Sequence, residues 1–459
     1  MNNDREKMLG TMNVKKLLMK LSIPAMMGML INALYNIVDT FFVARGAGED
    51  AIGGLAFAFP VQMILMAVGL MIGVGSASVY SRAFGKKDYK TMDLMVNSAI
   101  KTDIIIAVIF AVLGYIFLTP LLSFFGATSS NFQYGIDYLS IILIGLVPMT
   151  LSMVLNNLTR AEGRAVVSMY ALMIGAGLNI ILDPIFIFAF GMGVKGAAIA
   201  TVIAQFSSFI FIFFQAYGKK SNLNVHFNHF FTLDFKLVWE SLSVGFPTFL
   251  RNATGAIITI IIFRLIAQYA GSDDLITTYQ SIYGVINRVI NFVFLPSFGI
   301  VQGLVPIVSF NFGAKNYQRL KDVIKFATTI VIIYFILGFI FIYFVSPYIF
   351  VAFSESNDAN FINLGAQAFR LLSFGFTLVG FQIVASSIFQ SFGYPLRAMV
   401  VTISRQVLFF IPLVYIFSSL WGMVGIWIAF GAADFLTGFL SIFLLNSEMR
   451  TIHRYTLEV

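Results

Sequence analysis

Apolar residues occupy this chain in long runs broken by short polar punctuation. The runs fall near 15–44, 51–81, 93–117, 130–159, 165–190, 194–218, 238–270, 275–311, 322–349, 360–392, 396–418 and 422–448. None shows the residue-by-residue alternation of an outer-membrane barrel strand. Each reaches the ~20 mainly apolar residues that a lipid-spanning helix needs. The pattern predicts an all-α polytopic membrane protein with twelve transmembrane helices.

Composition agrees. Of 459 residues, 59% are hydrophobic and 11% charged, against ~25% charged in a typical soluble chain; the mean hydropathy is +0.89. The polar start, Met1 to Asn13, runs into a span too long to be a signal-peptide core. The absence of cysteine excludes thiolate metal sites and thiol nucleophiles. A net charge of +8 is compatible with nucleic-acid binding, but its distribution argues against it. With both termini placed in the cytoplasm, nearly all Lys and Arg at the span ends face inside, and only Arg45 and Lys195 face outside. That is the positive-inside asymmetry of a multi-pass protein in the cytoplasmic membrane. It places Ala47 and Thr128 outside and Asn316 inside.

The chain is also written twice. Ser81, Phe84, Gly85, Lys87 and Tyr89 recur as Ser309, Phe312, Gly313, Lys315 and Tyr317. Pro24 and Gly48 match Pro247 and Gly271, Pro184 pairs with Pro412, and Gly163 pairs with Gly393. The expected organisation is two six-helix pseudo-repeat bundles: an amino-terminal lobe over 1–218, a cytoplasmic linker over 219–236 and a carboxy-terminal lobe over 237–459. Parallel repeats of this kind are a recurrent transporter design.

Charged groups inside spans are expensive and are functional candidates by default. Three acids qualify: Asp39, Asp183 and Asp434. In "INALYNIVDTFF", Asn32, Tyr35, Asn36 and Asp39 share one helical face, and Asn179 and Asp183 share another. Asp39 lies 19 residues beyond Lys20, and Asp183 lies 19 beyond Arg164, so both belong at one depth. The repeat acts as an internal control. Its counterparts of Asp39 and Asp183 are Ile262 and Ile411, so a lobe is built without either acid. Two such carboxyls can take and release a proton, or hold a small hard cation such as Na⁺ with the Asn179 amide oxygen. Pairing with a buried arginine as structural glue is the plainer alternative. Pro184 cannot bond the carbonyl of Ile180, so a kink is expected there. His226, His229 and His453 lie in the linker and tail, which leaves no histidine metal cluster. No Walker-type loop and no activated nucleophile is present, so a non-enzymatic, ion-driven function is expected.

The segments "LSIPAMMGMLINALYNIVDTFFV", "NNLTRAEGR", "GLNIILDPIFIFAFGMGVKGAAIAT" and "SFNFGAKNYQRL" together resemble the multidrug and toxic compound extrusion (MATE) family, most closely its prokaryotic DNA-damage-inducible-type branch. That resemblance implies two six-helix bundles around a V-shaped cavity. It implies export of small amphipathic, mostly cationic compounds in exchange for H⁺ or Na⁺, with no other cofactor. The proton or cation site falls on Asp39, Asn179 and Asp183, with Tyr35, Asn36, Asn156 and Thr201 as polar positions around it. In the family picture, protonation rearranges hydrogen bonds, bends the first helix and displaces substrate. Other branches keep acidic ligands in the carboxy-terminal lobe, where this chain has arginines. Of these, Arg288, Arg370 and Arg405, with Asp434 as the lobe's one clearly buried acid, are candidates either to line a cavity for anionic groups or to bond helix carbonyls. The competing reading is a flippase of lipid-linked oligosaccharide or another anionic amphiphile in the same superfamily. The expected partners are the lipid bilayer and drug-like molecules, not nucleic acid, with the chain acting as a monomer.

Overall fold

The computed structural model describes residues 3–47, 49–124, 131–218, 221–223, 233–354 and 358–457. Thr128, His226, His229 and most of the 219–236 linker lie outside the described residues. In chain order the α-helices are α1 (Asn3–Thr11), α2 (Val14–Ala47), α3 (Glu49–Lys86), α4 (Tyr89–Ile116), α5 (Leu118–Phe124), α6 (Phe132–Ile144), α7 (Leu146–Ala161), α8 (Ala165–Pro184), α9 (Gly193–Tyr217), α10 (Phe235–Tyr269), α11 (Asp273–Gly313), α12 (Tyr317–Phe353), α13 (Ala359–Ser373), α14 (Phe376–Phe392), α15 (Pro395–Ile403) and α16 (Ile411–Leu457). Short π-helical stretches follow α8 (Ile185–Ala189) and α15 (Ser404–Phe410).

Among the described residues nine helices are long and apolar enough to cross a membrane. Two further spans are bent pairs, α6 with α7 at 56° and α13 with α14 at 49°. The stretch Pro395–Arg454 divides at Gly422, whose φ of 58° and ψ of −133° no helix contains. Only glycine enters that region without a Cβ penalty, and the division completes the twelve expected spans. The outward faces are oily, as lipid requires. On α12, Ile333, Leu337, Phe341, Phe344 and Tyr348 are all exposed, a stripe that water would not tolerate at this length.

The chain packs as two compact units. The first comprises Met1–Asn252, Gln302–Asn316 and Ser391–Gly393, and the second Ala253–Val301, Tyr317–Gln390 and Tyr394–Val459. In the first, Leu65, Leu139, Leu143, Leu146 and Ile187 form a core against Ala197 and Ala198. Gly196, Ala200, Ala204 and Ser208 recur every four residues along α9 and are buried. Small side chains at that spacing let helix backbones approach closely in a membrane. The second unit is centred on Phe294, Phe335 and Phe376, with ring centroids 5.0 to 6.1 Å apart.

The repeat extends to backbone conformation. Lys87 and Lys315 both take positive φ, at 59° and 56°, and Gly163 and Gly393 do so at 88° and 77°. A left-handed lysine is uncommon, so two at matched positions mark one inherited turn. Gly85 and Gly313 sit where a Cβ would come within 2.0 Å of the Phe310 carbonyl and 2.1 Å of the Arg82 carbonyl respectively. No other residue fits either crossing.

At one end of the first unit, the fully buried Glu162 gathers three segments. Its carboxylate accepts from Arg5 of α1 (2.6 Å), from Arg164 (3.2 Å), and from Ser221 Oγ (3.1 Å) and the Asn222 N–H (2.8 Å) after α9. Burial raises this carboxyl above the usual range, while Arg5, the Asn222 N–H and Arg164 pull it back.

Candidate functional site

Asn179 and Asp183 stand four residues apart on the buried face of α8, and both are essentially inaccessible. Asn179 Nδ2 donates to Asp183 Oδ1 at 3.1 Å and lies 3.3 Å from Thr201 Oγ1 of α9. The small-residue stripe of α9 is what allows Thr201 so close. Asp39, half-buried on α2, lies near enough to Asp183 for the two carboxyls to interact. Carboxylate oxygens only accept. A hydrogen bond between two carboxyls therefore needs one proton held by the pair.

Three oxygens in this cluster are buried with no donor: Asp39 Oδ1, Asn179 Oδ1 and Asp183 Oδ2. Buried acceptors rarely stay unpaired. An amide oxygen with two carboxyls is a donor set suited to a proton or to a small hard cation. Among the described residues, no group of three His, Cys, Asp or Glu side chains gathers to hold a metal ion.

The expected polar neighbours divide. Tyr35, one turn before Asp39, is near enough to both carboxyls to feel their charge. Asn36 is exposed and, among the described residues, donates only to the Asn32 carbonyl on its own helix, at 2.7 Å. Asn156 is buried in a different network: it donates to the Ser152 carbonyl (2.9 Å), and its Oδ1 accepts from Ser168 (2.8 Å). Two residues not anticipated from the sequence join the site. Tyr138 of α6 also feels both acids, and its hydroxyl donates to Gln62 Oε1 of α3 at 3.4 Å.

Pro184 follows Asp183 directly, and α8 continues through it into the π-helical stretch. There the Phe190 N–H reaches back five residues to the Ile185 carbonyl at 3.0 Å. A missing N–H and a widened turn are the usual companions of a functional break in a helix.

In the second unit, Arg405 Nε donates to Asp434 Oδ1 at 2.5 Å. Arg370 Nε donates to the Tyr343 carbonyl at 2.9 Å, and its guanidinium lies 5.2 Å from the centre of the Tyr343 ring. Both guanidinium groups thus have partners within the second unit. Arg288 is exposed on α11 and makes no hydrogen bond or ion pair among the described residues.

A further acid, not among the three singled out from the sequence, lies within a span. Asp103, in the middle of α4, is fully buried and accepts from Thr150 Oγ1 at 2.9 Å.

The family model described as MatE matches residues 24–185 and 247–416. The chain is 27% identical over 436 residues to the multidrug export protein MepA of Staphylococcus haemolyticus, covering 95% of this chain and 94% of the relative. Its fold matches the outward-facing conformation of a multidrug resistance MATE family transporter of the MOP superfamily, with a TM-score of 0.90 at 24% identity over 97% of this chain and 98% of that one. It equally matches a MOP superfamily transporter from Pyrococcus furiosus described as having a binding pocket of reverse polarity, with a TM-score of 0.90 at 24% identity over 98% of each chain.

Proposed function

The chain belongs to the MatE family, and from that premise we propose that it is a secondary active exporter of small amphipathic cations, driven by protons entering through the Asp39–Asp183 pair. What supports this reading is the nearness of those two carboxyls, backed by Asn179, with one oxygen of each of the three residues buried without a donor. In the protonated state the carboxyls bond one another. Loss of the proton leaves adjacent negative charges in a poorly screened site, where repulsion is strong. A cationic compound is then the natural occupant, and returning protons displace it. Export of drugs by the relative MepA supports the same reading. Both termini are assigned to the cytoplasm of a cell with this protein in its cytoplasmic membrane, on the distribution of Lys and Arg.

A second reading, transport of an anionic amphiphile, is favoured by the exposed Arg288, which has no partner among the described residues, and by the reversed pocket polarity of the Pyrococcus furiosus neighbour. Reconstituted vesicles with separately imposed proton and sodium gradients decide between the readings. We expect a cationic dye to move against an inward proton gradient and to ignore a sodium gradient. Dye movement driven only by sodium would replace the coupling ion, with Asp39, Asn179 and Asp183 as its ligands. Movement of an anionic amphiphile alone, lost in Arg288→Gln, would replace the substrate class.

A further inference from the structure

Asp103 plays no part in the site described above. It is the fifteenth of the 28 residues of α4, about 21 Å along the helix from Tyr89 at 1.5 Å per residue, in a hydrocarbon layer ~30 Å thick. The side chain is fully buried, its Oδ2 has a single donor in Thr150 Oγ1, and its Oδ1 has no partner.

The surroundings bring no compensating charge. On α3, residues 60–79 hold no ionisable side chain, and neither do residues 146–159 of α7 or any residue of α5. Tyr80, at the far end of α3, lies instead near Glu162, Arg5 and Asp93. The ionisable groups of α6 are Tyr134, Asp137 and Tyr138; Asp137 pairs with Lys195, and Tyr138 is bonded to Gln62. On α4 itself, the buried Lys101 is two residues away, and residues at that spacing do not face each other.

The Thr150 hydroxyl has one proton and three acceptors within reach: Asp103 Oδ2 at 2.9 Å, the Leu146 carbonyl at 3.1 Å and the Val147 carbonyl at 3.3 Å. When Asp103 is ionised, it takes that proton. When Asp103 is protonated, its own O–H donates to Thr150 Oγ1, and the threonine turns to the Leu146 carbonyl four residues back. Both protonation states are bonded, which is what a site that exchanges a proton requires. The Leu146 carbonyl belongs to the first turn of α7, directly after the 56° bend from α6. Threonine bonding to the i−4 carbonyl is a known cause of local helix bending.

We propose that Asp103 is a proton-binding site separate from the Asp39–Asp183 pair, and that the Thr150 hydroxyl relays its protonation to the α6–α7 bend. Infrared absorption of the full-length protein in lipid, followed through a pH titration, reads the protonated carboxyl directly. Among the titrating carboxyl C=O bands of the wild type, one is expected to be absent in Asp103→Asn and retained when Asp39 and Asp183 are both replaced by Asn. Thr150→Val, which is nearly isosteric and preserves packing, should shift that band to the frequency of a carboxyl without a partner. It decides the matter even if Asp103→Asn fails to fold. The relay is read by amide hydrogen exchange over residues 141–150, corrected for the intrinsic effect of pH. Protection there should change through the titration in the wild type and stay constant in Thr150→Val. Identical titration spectra for the wild type and Asp103→Asn, or a band unmoved by Thr150→Val, would overturn the site. Unchanging protection in the wild type would overturn the relay. Neither readout needs a transported compound, so failure of the export reading leaves both intact.

Discussion

Asn179 and Asn36 look alike in the sequence, as asparagines one turn from an aspartate, yet the structure gives them different work. Asn179 donates to Asp183 and approaches Thr201 across a buried helix contact, whereas Asn36 closes a bond to its own backbone. Removing one partner of a buried hydrogen bond costs roughly 1–3 kcal/mol. Asn179→Leu is therefore expected to lower unfolding stability by about that amount and to abolish gradient-driven export. Asn36→Ala should alter stability by less than about 1 kcal/mol and leave coupling in place. Thermal unfolding alongside vesicle flux checks both, and equal effects from the two substitutions would remove Asn179 from the coupling site. Asp103 shows where sequence reading fell short. It is preceded by Thr102 and Lys101, which make the segment resemble a span end, but α4 already begins at Tyr89 and carries all three into the interior. Beyond Asp103 the helix is almost wholly apolar, with no polar stripe to reveal which face is buried.

Helix breaks, more than helices, carry the individuality of this fold. Pro184 was legible as a break because the ring removes a donor whatever surrounds it. The bend at Gly145 was not, since glycine is tolerated in membrane helices without interrupting them; the division at Gly422 falls where the runs 396–418 and 422–448 already part. The short α1 was missed for another reason: its polar sequence has no apolar period, and a contact distant in sequence holds it. That contact is Arg5 on Glu162, whose side chains are 12% and 0% exposed. Breaking a buried ion pair costs roughly 3–5 kcal/mol, because the remaining charge stays uncompensated. Arg5→Ala should accordingly release α1 and speed tryptic cleavage at Lys7 well beyond the wild-type rate. Cleavage at the wild-type rate would mean that α1 is held by its other contacts, among them Glu6 with Lys87 and the Leu9 carbonyl with Asn311.

At the scale of the whole chain, the duplication was the most readable feature. The motif shared by 81–89 and 309–317 marked the chain as written twice, and both copies adopt the same rare backbone conformation. Departures between the copies then carry the functional signal. Ile262 is buried without a polar group, at the position where the first half keeps Asp39. The arginines of the second half were harder to read. Sequence alone gave no means of separating Arg405, paired with Asp434, from the exposed Arg288. The central claim remains that a cationic compound and a proton compete for the carboxyls of Asp39 and Asp183. Its most direct test is proton release from the purified protein in weakly buffered detergent on addition of a cationic substrate. The account predicts a stoichiometric release that disappears when Asp39 and Asp183 are both replaced by Asn. Substrate binding without proton release, or the same release from the double variant, would contradict it.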